Sequence, residues 1–164
     1  MRDLLVPARI DTPELLDEGG EAPSQIERSL RDLRRFNRWA GGTAAYRRLL
    51  RKMVRGLTTP LTVLDLGTGT FDLLDSLPTG VLKVGADIRL EHLLYGRRAG
   101  RRTRSGSVRA VVADAFHLPF ADCSVDVVTS SHFFHHFSPV ENRRILEESL
   151  RVSRIGVAVT DTRR

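Results

Sequence analysis

The chain has 164 residues, enough for one domain and too few for two ordinary ones. Hydrophobic residues make up 41% and charged residues 28%, the balance of a globular chain rather than a disordered or fibrous one. Formal net charge is +6, and the single cysteine, Cys123, excludes an internal disulfide framework and a multi-cysteine metal site, so no metal is expected.

In chain order, residues 1–23 read as an extended lead interrupted by Pro7, Pro13, Gly19-Gly20 and Pro23. Met1 to Pro7 holds no long apolar core, so a secretory leader is not expected. Ser24-Gln25-Ile26-Glu27 is a capping-box pattern. Ile26, Leu30, Leu33, Phe36 and Ala40 follow at helical spacing, and Gly41-Gly42 ends that helix. A second helix is expected from Thr43 to Gly56, with Ala45, Leu49 and Met53 on one stripe and Tyr46, Leu50 and Val54 beside it.

The pattern then changes. Short runs rich in valine, leucine and isoleucine lie at 61–66, 81–88, 108–114, 124–130 and 154–160. Such runs suit strands buried on both faces. Helices are expected between most of them, at 69–77, 89–98 and 139–152. The last opens with Ser138-Pro139-Val140-Glu141, a second capping box with proline at the first helical position. Alternating strands and helices predict an α/β fold: a Rossmann-like open parallel sheet of about five strands with flanking helices. Residues 1–60 form an N-terminal extension, and residues 61–164 the sheet domain.

Basic charge invites a nucleic-acid reading. Its distribution argues for a solvated arginine surface instead. Residues 1–30 carry three arginines against seven acids, while residues 31–55 carry nine basic residues against Asp32 alone. The run from Arg97 to Arg109 has no interleaved aromatic residue. No apolar run approaches the roughly 20 residues of a membrane span. The lone cysteine and the missing leader predict a cytoplasmic protein.

Chemistry is concentrated after the first strand, in Val63-Leu64-Asp65-Leu66-Gly67-Thr68-Gly69-Thr70. Gly67 and Gly69 allow a tight turn and close approach of a ligand to backbone. The helix expected next would offer its N–H groups and dipole to an anion. A dinucleotide fingerprint wants a third glycine three residues after the second; that position is Asp72, which would repel a pyrophosphate. Asp65 instead puts a carboxylate at the strand end, suited to a cationic amino group. Asp87 ends the second strand 18 residues after Gly69, where a carboxylate can accept from both hydroxyls of a ribose. Asp114 ends the third strand and can accept from an exocyclic amine, with Phe116 able to pack on a base. Phe120 reads as core. His132, His135 and His136 follow the fourth strand and are candidates for a general base.

Together these segments resemble the class I S-adenosylmethionine-dependent methyltransferases, most closely the small-molecule enzymes of ubiquinone and menaquinone biosynthesis. The resemblance rests on the loop above, on Gly85-Ala86-Asp87, and on Asp114-Ala115-Phe116-His117-Leu118-Pro119-Phe120. It continues through Ser124-Val125-Asp126-Val127-Val128 and Phe134-His135-His136-Phe137. It implies that Asp65, Gly67, Thr68 and Gly69 hold the methionine end of S-adenosylmethionine. By the same resemblance Asp87 and Ile88 hold the ribose side, Asp114, Ala115 and Phe116 the adenine, and Ser130 and Ser131 line the methionine side. The helices before residue 60, with Asn37-Arg38-Trp39-Ala40-Gly41-Gly42, would form a lid.

Two departures stand out. The family's third glycine falls at Phe71, which would crowd the methionine tail or point into the core. The sequence stops at Arg164, where the family's sheet continues with a helix and antiparallel strands. The fifth strand is then expected as an edge with uncovered apolar faces, open to a homodimer partner. The expected function is O- or C-methylation of a quinone, phenol or polyketide-like small molecule. The alternatives are a cofactor-binding but inactive or truncated domain needing a partner, and an RNA methyltransferase.

Overall fold

The computed structural model describes residues 23–39, 42–56, 60–100 and 108–161. The lead over 1–22 and most of the basic run after Gly100 lie outside the described residues. All five apolar runs become strands: β1 (Thr62–Leu66), β2 (Leu82–Asp87), β3 (Arg109–Val112), β4 (Val125–Ser131) and β5 (Ser153–Thr160). They form one sheet in the order β3-β2-β1-β4-β5, with every pairing parallel.

The helices are α1 (Pro23–Trp39), α2 (Gly42–Met53), α3 (Asp72–Asp75), α4 (Leu90–Gly100) and α5 (Pro139–Val152). Among the described residues none is long and apolar enough to cross a membrane. Both faces of the sheet are covered. On one, Tyr46 and Leu50 of α2, Leu73 and Leu74 of α3 and Leu93 of α4 pack on Val63 and Val127. On the other, Ile145 and Val152 of α5, with Leu118 and Phe134, pack on Leu64, Leu66, Val84, Ala86 and Val128. No helix joins β3 to β4. The loop there is held by Arg151, whose guanidinium donates to the carbonyls of Leu118 and Phe120 and to Asp122 and Glu148.

Several boundaries differ from the sequence reading. α1 starts at Pro23, one residue ahead of the expected cap Ser24, and α2 at Gly42, one residue ahead of Thr43. The expected helix over 69–77 is one turn, Asp72–Asp75. Its would-be start is taken by residues at positive φ, Gly67, Gly69 and Phe71. Its end is tightened by short-range bonds from Ser76 and Leu77 to the carbonyls of Leu73 and Leu74. So short a helix has little dipole, and the anion-binding role given to it does not hold. β3 ends at Val112, and Asp114 sits in a turn bridged to His117. The capping box at Ser138 is as read: its Oγ accepts from the Glu141 amide, and the Glu141 carboxylate accepts from the Ser138 amide. β5 is an edge strand, but its faces are not uncovered. Val157 and Val159 pack into the α5 side, and Gly156 lies against Met53 of α2.

Phe71 points into the core. It is 2% exposed, in a left-handed conformation with φ 63°. A Cβ added at Gly85 of β2 would stand 2.7 Å from its ring, and one at Gly96 of α4 also 2.7 Å. Two glycines on neighbouring elements therefore make the space that a bulky residue at 71 fills. Gly96→Ala should destabilise the chain by about 1–3 kcal/mol through overpacking. In a Phe71→Ala background the same change should cost clearly less, because the ring it strikes is gone, alanine favours the helix and only the Thr70 backbone, 3.1 Å away, stays tight. Thermal or denaturant unfolding of the double-mutant cycle checks this; additive effects would mean that the two positions do not share one space.

Candidate functional site

β1 and β4 pair so that Asp65 lies beside Thr129 and Leu66 beside Ser130. Their carboxyl ends frame the site. Asp65 is 2% exposed. Its Oδ1 accepts from Thr129 Oγ1 at 2.7 Å, and Thr129 Oγ1 stands 2.9 Å from the hydroxyl of Tyr46. Burial pushes the Asp65 carboxyl up to about 7, against the pull of the Thr129 hydroxyl; the nearby Asp72 and Asp87 carboxylates push the same way as burial. Thr68 Oγ1 is close enough to favour the charged carboxylate, yet it is not aligned into a hydrogen bond and stays buried without a partner.

The loop after β1 is set by its glycines. A Cβ at Gly67 would stand 2.3 Å from the Phe133 ring, so only glycine fits beneath that aromatic. A Cβ at Gly69 would meet nothing within 4 Å, which leaves open space over its backbone. The Gly69 amide donates to Asp87 Oδ2 at 3.0 Å, tying the loop to the end of β2. Asp87 Oδ1 accepts from the Arg89 amide at 2.9 Å, and His92 Nδ1 of α4 stands 3.4 Å from it. The buried carboxylate keeps lone pairs on both oxygens for further donors. Ile88 beside it is 68% exposed, a large apolar side chain left at the sheet edge.

Asp114 Oδ1 accepts from the Phe116 amide, which holds its carboxyl below the usual carboxylate range, and Oδ2 faces His117 Nδ1 at 3.2 Å. Ala115 is half-buried in the same turn. The Phe116 ring meets Phe137 edge-on, centroids 5.6 Å apart, and Arg144 stands over it at 5.3 Å. Phe133 joins the cluster, 4.9 Å from Phe137. Phe120 packs against the core as expected.

At the end of β4 the two serines differ. Ser130 is 1% exposed and donates to the Leu66 carbonyl, so its hydroxyl is committed within the sheet. Ser131 is partly exposed. The three histidines follow. His132 takes a positive φ of 50°, and its amide donates to the Thr160 carbonyl of β5. His135 Nδ1 stands 2.6 Å from Asp161 Oδ1, and its amide donates to Asp161 Oδ2. The His136 ring lies 4.2 Å from that of His135.

The sheet thus brings Asp65, Gly67, Thr68, Gly69, Asp87 and Ile88 to one edge, with the histidines beyond β4. Sequence reading missed Asp161, although its place just past the fifth strand matches those of Asp65 and Asp87 at the first and second. Tyr46 and Thr129 gave no local signal, because a residue 83 positions away supplies the partner.

A profile of the methyltransferase domain family matches residues 64–159. The chain belongs to that family, within the class I S-adenosylmethionine-dependent methyltransferases. It is 38% identical over 96 residues to a demethylmenaquinone methyltransferase of Thermobifida fusca, covering 57% of this chain and 39% of that one. A demethylmenaquinone methyltransferase of Thermus thermophilus is 40% identical over 96 residues, 57% of this chain and 42% of that one. The chain spans about two fifths of the length of these curated relatives. A S-adenosylmethionine-dependent methyltransferase structure from Aquifex aeolicus superposes with a TM-score of 0.60 at 24% identity, over 82% of this chain and 69% of that one, and shares the fold.

The raised Asp65 carboxyl has a consequence for stability. The folded chain keeps a proton that the unfolded chain gives up at about pH 4. Stability of the unliganded chain should therefore fall as pH rises from there to about 7. Asp65→Asn should remove that slope and be the more stable protein at neutral pH, by up to about 4 kcal/mol. Denaturant midpoints across this pH window test it; an unchanged slope in the variant would count against a protonated Asp65.

Proposed function

We propose that the chain binds S-adenosylmethionine and transfers the methyl group to a small acceptor with a quinone- or phenol-type ring, at carbon or oxygen. The observation that carries this reading is the His135–Asp161 pair at the carboxyl ends of β4 and β5. The relatives' names support the ring class of the acceptor.

The residues present fit this cofactor. Asp65 meets the methionine amino group, and the unpartnered Thr68 hydroxyl faces the same loop. The open space over Gly69 admits the cofactor against the backbone. Asp87 accepts the ribose hydroxyls, and exposed Ile88 offers an apolar surface to the nucleoside. Asp114, Ala115 and Phe116 serve the adenine end, and Ser130 and Ser131 line the methionine side, Ser131 with the more exposed side chain. When bound, the cofactor supplies an electrophilic methyl on a sulfonium.

The chain has then to align an acceptor and remove its proton. Asp161 holds Nδ1–H of His135, which leaves Nε2 as the basic nitrogen. A phenolic or activated ring proton passes to Nε2, and the carboxylate stabilises the imidazolium that results. His132 and His136 flank that ring. The lid expected around Asn37–Gly42 lies partly outside the described residues, and the edge of β5 is where a second copy would pair.

A second reading, methylation of RNA, draws on the outer face of α2. Arg47, Arg48, Arg51 and Lys52 there are exposed, and the helix holds no acid. Binding to RNA that falls steeply with salt would favour it.

His135→Ala should lower kcat by about a hundredfold or more at saturating acceptor while S-adenosylhomocysteine binding stays intact. Asp161→Asn should lower kcat in the same direction by less. Product formation with candidate phenols and quinols measures both. Full turnover in both variants would remove the pair from the reaction.

A further inference from the structure

The N-terminal helix α2 lies ahead of the family match, yet it reaches the carboxylate at the centre of the site. Tyr46 is 2% exposed, Thr129 0% and Asp65 2%, and their oxygens form a continuous chain of 2.9 and 2.7 Å steps. With Asp65 ionised, as a bound ammonium requires, proton positions follow from counting. Thr129 has one hydroxyl proton and two acceptors in reach, Asp65 Oδ1 at 2.7 Å and the Leu64 carbonyl at 3.3 Å. The shorter contact, to a carboxylate, holds it. Thr129 Oγ1 is then an acceptor toward Tyr46, and the phenol must donate. Every hydroxyl points toward Asp65.

We propose that Tyr46 and Thr129 are positioning residues that form a hydroxyl relay from α2 to Asp65, so that docking of α2 and binding of a cationic amine at Asp65 favour each other. The inference rests on the reading of Asp65 as the residue that meets the methionine amine.

The electrostatics give such a relay its use. The charged groups acting on Asp65 are Asp87 from β2 and Asp72 from α3, both carboxylates; Tyr46 from α2 and Thr129 from β4 are neutral donors. A carboxyl so placed resists ionisation, and a bound ammonium needs it ionised. The Thr129 donor favours the charged form, and the Tyr46 donor keeps the Thr129 proton turned to Asp65 rather than to Leu64. Without Tyr46 the Thr129 hydroxyl is free to turn to the Leu64 carbonyl. The ammonium in turn draws the carboxylate and its donors into place, which tightens α2 on the sheet. Such mutual support is a coupling free energy and acts equally in both directions.

Calorimetry with S-adenosylhomocysteine, which carries the same amine, from mildly acidic to mildly alkaline pH tests this on the full chain. Wild-type affinity should rise with pH and level off as Asp65 ionises. Tyr46→Phe and Thr129→Val should lose about tenfold at neutral pH, and the midpoint of the rise should move to higher pH. Thr129→Ser, which keeps the hydroxyl, should bind as the wild type does. Hydrogen exchange in α2 should slow on binding in the wild type and much less in Tyr46→Phe. Folded variants that bind with unchanged affinity and midpoint would overturn the relay, as would a Thr129→Ser as weak as Thr129→Val. If Thr129→Val does not fold, Tyr46→Phe, which removes one oxygen, decides. A wild type that does not bind S-adenosylhomocysteine would sink the cofactor reading itself, and the relay with it.

Discussion

Strands β1 and β4 lie parallel and in register, and the chain leaves them toward opposite faces of the sheet. From β1 it turns into α3 on the face covered by α2 and α4; from β4 it passes through Phe134–His136 into α5 on the other. A crevice at the carboxyl ends follows from that divergence alone, at the point where strand order reverses. The same register sets Asp65 against Thr129, so the carboxylate that faces the crevice receives its donor from the neighbouring strand. Asp87, the last residue of β2, and Asp161, just past β5, complete a row of acids along one edge.

The row has different depths, and depth divides the work. Asp65 is fully enclosed, and burial works against its charge. Asp114 lies in an open turn whose amide favours the charge. Asp161 is spoken for by the ring and amide of His135. One residue type thus sits in three electrostatic settings, set by environment and not by identity.

How much of this was legible in the sequence depended on whether the cause was local. The strands were readable because two-sided burial demands continuous apolar runs, and Ser138-Pro139-Val140-Glu141 because a capping box is closed within one turn. Gly67 and Gly69 were readable as a turn, and Asp65 and Asp87 as strand-end acids. The helix expected over 69–77 failed because Phe71 takes a left-handed backbone that no local preference announces. Its tolerance comes from Gly85 and Gly96 on other elements. Ser130 was legible as a strand-end residue, but that its hydroxyl bonds across to β1 was not. Tyr46 was legible as part of an apolar stripe; that its hydroxyl had an errand could be seen only once α2 was laid on the sheet.

The nest of Phe71 between two glycines also bears on how this chain can change over time. Glycine at 71 would leave a ring-sized void, and a side chain at either 85 or 96 would collide with the ring. Each single replacement within the trio therefore carries a packing cost that a concerted replacement avoids. The three positions are constrained as one unit: what one of them can accept is decided by what the other two hold.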